Sequence, residues 1–202
     1  MELILVRHGQ TYMNAKHTID TVVPGAVLTE EGWTQANDVV PALAALEPGG
    51  IWASNLTRTQ QTATPLATRL GLDIHIHEGL REIGAGSYEG GDTPEVYEGY
   101  TGTIFRWIGG ERDLPMGGDE AVTGRTVLAR VDAAVRDIEA AGHERAVAFA
   151  HGGVIAYWVG SRALNAQRER ETFVPLGNAG IVRLEGTLET GYTLRSWMHL
   201  TF

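Results

Sequence analysis

The chain has 202 residues, a formal net charge of −9, 43% hydrophobic and 20% charged residues, and no cysteine. The charge disfavours nucleic acid and anionic membranes as partners, since both need a basic footprint. Without cysteine there is no disulfide, thiolate nucleophile or Cys-based metal site. The length suits one domain over 1–202 that buries about 70% of its unfolded surface. No apolar run approaches the roughly 18 residues of a membrane span, and the amino terminus shows no leader pattern. A cytoplasmic soluble protein is therefore expected.

Leu3-Ile4-Leu5-Val6 has the aliphatic character of a buried strand, predicted over 2–7. It ends in Arg7-His8-Gly9-Gln10-Thr11, and a loop follows from His17 to Ala26. Thr29 is a good N-cap with Glu30 and Glu31 in the positive first turn, so a helix is expected to Leu46, interrupted near Pro41. A strand at 51–53 feeds a helix at 57–70, with Pro65 as a possible bend. A strand at 73–76 precedes the glycine- and aromatic-rich segment 84–118, with a helix within 93–108. Val122, Val127, Val131, Val135 and Ile138 share one face of a helix predicted from Asp119 to Ala141. Strand 146–150 ends in His151-Gly152-Gly153 and a helix at 152–164; late strands are expected at 180–184 and 192–197.

Alternating strands and helices imply a mostly parallel α/β sandwich of three layers. Ligands in such sheets gather beyond the carboxyl ends of the strands. Arg7-His8-Gly9 and His151-Gly152 both fall there. So do Ser54-Asn55-Leu56-Thr57-Arg58, which opens a helix, and Leu80-Arg81-Glu82, which follows strand 73–76.

These four features, in this order, resemble the histidine phosphatase superfamily, also called the phosphoglycerate mutase-like fold. The resemblance runs from residue 3 to about residue 184. It implies a mixed six-stranded sheet with helices on both faces and a small covering subdomain, for which 84–118 is the candidate. Three departures stand out. Gln10 replaces a frequent glutamate, Asn55 a frequent aspartate, and Gly117-Gly118-Asp119-Glu120 stands for a Gly-Glu-Ser turn.

Phosphoryl transfer needs an in-line nucleophile, cations around the phosphoryl oxygens and a proton for the leaving group. His8 can attack through an unprotonated ring nitrogen if the other nitrogen is held by a hydrogen bond. In the family this histidine is phosphorylated. Arg7 and Arg58 can neutralise the phosphoryl oxygens and keep His8 unprotonated. His151, before a helix N-terminus, can donate to the same group, as its family counterpart does. Glu82 matches the family's proton donor, a role that asks for burial. Glu78 and Glu89 are the nearby alternatives. Asn14 matches an asparagine that contacts phosphate in relatives. Gln10, Thr11 and Gly152, on the same two turns, are further substrate-binding candidates.

Leu80 to Gly90 looks like the phosphatase branch, where Leu-Arg-Glu precedes Gly-x-x-Glu-Gly. The mutases carry Arg-x-Tyr-Gly and a longer insertion, both lacking here. A small phosphorylated substrate is therefore expected, hydrolysed without cofactor or metal. The alternatives are a cofactor-dependent mutase and a non-catalytic phospholigand-binding module. His75 and His77 alternate along one strand face but have no third ligand at a suggestive spacing. Residues 92–116, with Tyr97, Tyr100, Phe105, Arg106, Trp107 and Arg112, are expected to line the outer pocket. Oligomeric state, a homodimer included, is open.

Overall fold

The structure, a computed structural model, describes residues 1–166 and 175–202. Its elements run in order: β1 (Glu2–Arg7), α1 (Tyr12–Ala15), α2 (Glu30–Asp38), α3 (Val40–Ala44), β2 (Gly50–Ala53), α4 (Thr57–Leu70) and β3 (Ile74–Ile76). Then come α5 (Pro94–Ile108), β4 (Pro115–Met116), β5 (Asp119–Thr123), α6 (Gly124–Ala140), β6 (Arg145–Ala150), α7 (Gly152–Arg162), β7 (Ile181–Thr187), β8 (Gly191–Trp197) and β9 (Leu200–Thr201).

A seven-stranded sheet has the order β3-β2-β6-β1-β7-β8-β9. The strands β3, β2, β6 and β1 are mutually parallel, β7 and β9 run against them, and β8 runs with them. The sheet is thus mixed but mostly parallel, with one strand more than the six expected. The extra one is the two-residue β9, which pairs with Ser196 and Trp197.

Alternation along the strands builds two cores. Leu3, Leu5, Ala146 and Ala148 face α5, α6 and α7, packing with Trp107, Val131, Val135 and Trp158. Ile4, Val6, Val147 and Phe149 face the other way, onto Leu43, Ala63 and Leu66 of α3 and α4. Because β1 and β6 are covered on both faces, their sequences read as continuous apolar runs.

Thr29 caps α2 through a bond from the Gly32 N–H, and the helix breaks at Val39, two residues before Pro41. Pro65 lies inside an unbroken α4. One expectation is corrected: 119–123 is not helical. Asp119–Thr123 forms β5, paired antiparallel with β4, and Thr123 caps α6 in a box with Thr126. Val122 therefore belongs to a strand, not to the apolar face of α6. Helix α5 packs on α7. Among the described residues, no helix is long and apolar enough to cross a membrane.

Candidate active site

The adjacent strands β1 and β6 are each followed directly by a histidine, and the two rings meet edge to face with centroids 5.2 Å apart. His8 is 3% exposed and His151 is fully buried. The backbone at His8 is pinned from both sides. Its N–H donates to the Ala150 carbonyl, and its carbonyl receives the Ala179 N–H and the Asn178 side-chain amide.

His8 Nδ1 lies 2.7 Å from the Gly9 carbonyl oxygen. A carbonyl only accepts, so Nδ1 carries the proton and Nε2 keeps its lone pair. Burial first, then the cations of Arg58 and Arg7, hold the imidazole well below its usual pKa, against the pull of the Gly9 bond. The ring is neutral, with one nucleophilic nitrogen.

Arg7 anchors Nη1 on the Leu176 carbonyl, while its buried Nε has no hydrogen-bond partner among the described residues. Arg58, the second residue of α4, is 3% exposed. Its Nε–H donates to His151 Nδ1 (3.2 Å), Nη1 to the Asp20 carboxylate (3.2 Å) and Nη2 to the Asp20 carbonyl (2.8 Å). That leaves one N–H on each terminal nitrogen for a ligand. The ring of His151 is held by Ser54 Oγ at Nε2 (2.8 Å) and by Arg58 at Nδ1. Burial first, then Arg58, His8, Arg130 and Arg7, keep its pKa well below the usual value.

Glu82 is 9% exposed and lies at the N-terminus of α7. Its Oε1 accepts the N–H groups of Val154 (2.8 Å) and Ile83 (2.9 Å), and its Oε2 that of Gly153 (3.1 Å). It acts electrostatically on both Arg7 and Arg58. Of the rival carboxylates, Glu89 lines the cavity beside Glu82 and also acts on Arg58, but both its oxygens are engaged. Glu89 accepts from the Thr21 N–H and hydroxyl, and Glu78 is exposed. A buried carboxyl, two arginines and an unprotonated imidazole nitrogen thus converge at one end of the sheet.

The sequence matches the family described as the histidine phosphatase superfamily, branch 1, over residues 3–198. The chain belongs to that superfamily. It is 30% identical over 198 residues to a glucosyl-3-phosphoglycerate phosphatase of Mycolicibacterium vanbaalenii, covering 91% of this chain and 84% of the relative. A probable phosphoglycerate mutase of Enterobacter is 30% identical over 186 residues, covering 92% and 85%. The PE-PGRS family protein PE_PGRS11 of Mycobacterium tuberculosis is 37% identical over 208 residues, but these span 95% of this chain and only 35% of that longer protein. Among solved structures, a mycobacterial glucosyl-3-phosphoglycerate phosphatase in complex with VO3 superposes with a TM-score of 0.80 at 26% identity, covering 98% of each chain. The family and its phosphatase-named members make this chain an enzyme of phosphomonoesterase type.

The four predicted substrate contacts of this histidine phosphatase divide into two kinds. Asn14 uses Oδ1 to accept from the Thr11 N–H and from Asn178, so its Nδ2 remains to donate. Gly152 lies against Arg7, since a Cβ there would sit 3.3 Å from Arg7 Nε. Thr11 Oγ1 accepts the Asn14 N–H as the N-cap of α1. Gln10 accepts the Thr29 hydroxyl at the start of α2. These two organise the turn that carries Asn14 and His8.

A cavity of about 370 Å³ lies beside Glu82, lined by Val22, Val23, Arg81, Ala121, Val122 and Arg130 among others. From 92–116, Tyr97 interacts electrostatically with Arg7. Trp107 is fully buried with its indole N–H on the Leu114 carbonyl, Tyr100 donates to the Ile83 carbonyl, and Arg106 pairs with Glu111. His75 stacks on Trp52 and His77 bonds Asp137, so each has a structural partner.

Asp20, Ser54, Asn178 and Gly153 were not singled out as site residues by sequence. Only Ser54 and Gly153 carried a signal, Ser54 opening the motif that holds Arg58 and Gly153 following Gly152. Asp20 and Asn178 reach the site from loops whose sequence shows no pattern.

Proposed function

We propose that this chain hydrolyses a small phosphomonoester through a phosphohistidine on His8. The observation that carries this reading is the Nδ1–Gly9 bond, which leaves Nε2 bare between Arg7 and Arg58. In the first step the Nε2 lone pair attacks phosphorus and the P–O ester bond breaks. Glu82 gives its proton to the departing alkoxide. In the second, water gives a proton to the Glu82 carboxylate and attacks phosphorus, and the P–N bond breaks. Arg7, Arg58 and the Asn14 amide hold the phosphoryl oxygens as their charge rises. No cofactor or metal ion is needed, since the arginines supply the positive charge.

The phosphatase names among the relatives support hydrolysis of a small phosphorylated metabolite. The test is phosphate release from a panel of phosphorylated sugars, sugar acids and amino acids. His8→Ala should lose nearly all turnover; retention of more than about a tenth would remove His8 as the nucleophile. Transfer of phosphate between positions of phosphoglycerate faster than release to water would overturn the hydrolase reading in favour of a mutase. Binding without turnover of any phosphomonoester would leave only a phospholigand-binding module.

A further inference from the structure

Donors and acceptors around His151 can be assigned atom by atom. Ser54 directly follows β2 and is wholly buried. Its Oγ has three polar neighbours: the Leu56 N–H (3.2 Å), Thr59 Oγ1 (2.9 Å) and His151 Nε2 (2.8 Å). A hydroxyl has one proton and two lone pairs. Thr59 spends its own proton on a carbonyl, that of Leu56 at 2.8 Å or of Ser54 at 3.1 Å, and so acts as an acceptor towards Ser54. Ser54 therefore donates to Thr59, and its lone pairs receive the Leu56 N–H and the His151 Nε2–H. At the far side of the ring, Arg58 Nε–H can only donate, so Nδ1 must accept. Both ends demand the same neutral tautomer, with the proton on Nε2 and the lone pair on Nδ1.

We propose that Ser54 is a positioning residue: by taking the Nε2 proton of His151 it keeps Nδ1 an acceptor, and the ring then fixes the guanidinium of Arg58 for the phosphoryl group. The inference rests on the phosphatase reading above for its kinetic consequence, though not for the proton assignment. His151 in this state braces Arg58. Arg58 is clamped from two sides, by His151 at Nε and by Asp20 at the terminal nitrogens.

The experiment combines nitrogen NMR of histidine-labelled full-length protein with turnover of p-nitrophenyl phosphate. In the empty wild type, His151 should show a protonated Nε2 and a bare Nδ1 at neutral pH. Thr59→Val removes the acceptor of the Ser54 proton, frees that proton for Nε2 and should raise the Nδ1–H population. Ser54→Ala should lower kcat by about 10- to 100-fold, as losing an orienting partner does, with a smaller change in KM. A wild-type spectrum with the proton on Nδ1 would overturn the inference. So would a folded Ser54→Ala protein keeping more than about half of kcat. If Ser54→Ala fails to fold, the wild-type and Thr59→Val spectra decide. Wild type that hydrolyses no phosphomonoester, yet shows the Nε2 proton, would sink the phosphatase reading and leave the proton assignment standing.

Discussion

At His8 the carbonyl of the next residue accepts from Nδ1, so one short bond decides which nitrogen is left to react. The corresponding question at Glu82 is which oxygen can carry a proton. Oε1 already receives two backbone N–H groups and Oε2 one, at 3.1 Å, so Oε2 has the spare lone pair. If Glu82 protonates the leaving oxygen, Glu82→Gln should hurt poor leaving groups most. In single-turnover phosphorylation of His8, the loss on an alkyl phosphate should exceed that on p-nitrophenyl phosphate by about tenfold or more. Equal losses would remove Glu82 from the acid role. Arg7, His8, Arg58 and His151 could be brought to one end of the sheet from sequence because each sits at or beside a strand or helix end; Glu82, in the loop after β3, could be placed only by its motif. The direction of the His151 hydrogen bonds was not legible. It depends on Ser54 and Thr59, whose hydroxyls take their meaning from a partner nearly a hundred residues away.

The elements around the site are set by close approach of backbone. A Cβ on Gly32 would lie 2.1 Å from the Gln10 carbonyl oxygen, and one on Gly9 would lie 2.5 Å from the Gly32 carbonyl oxygen. Helix α2 thus rests directly on the turn that carries His8. Gly32→Ala must push the two apart. It should cost about 1–3 kcal/mol of stability, as overpacking does, and lower turnover with it, because Gly9 holds the His8 ring. Chemical denaturation and turnover check this; a variant as stable and active as wild type would refute it. The long elements were readable, but the short α1, β4, β5 and β9 were not, and the start of α6 was misread. Val122 stands five residues before Val127, about 140° round a helix and so off its apolar face, and Gly117 and Gly118 take positive φ and turn the chain back onto Pro115 and Met116. Thr123 with Thr126 is the signal that marks the true start.

For the molecule as a whole, two buried neutral histidines make folding depend on pH. His8 and His151 titrate well below 6.5 in the folded protein, and near 6.5 when unfolded. Below that value the unfolded chain binds more protons, so stability falls as pH drops through 6.5, and above it this contribution is fully present. Each histidine adds a slope of at most about 1.4 kcal/mol per pH unit. His8→Asn should therefore flatten the stability profile between pH 5 and pH 6, by about 1 kcal/mol per unit. Parallel profiles for the two proteins would show that His8 is charged in the fold.

The position of β1 between β6 and β7 bears on how the enzyme comes into being on the ribosome. Once His151 has been added, the nascent chain already contains both histidines, both arginines and Glu82. It still lacks the carbonyls of Leu176 and Gly180 that brace Arg7, and the amides of Asn178 and Ala179 that brace His8. Such distant partners are slow to meet and come last in synthesis. The candidate site residues are all made before their frame, so the site waits for the segment that leads into β7, and a prematurely released chain carries the residues without the site.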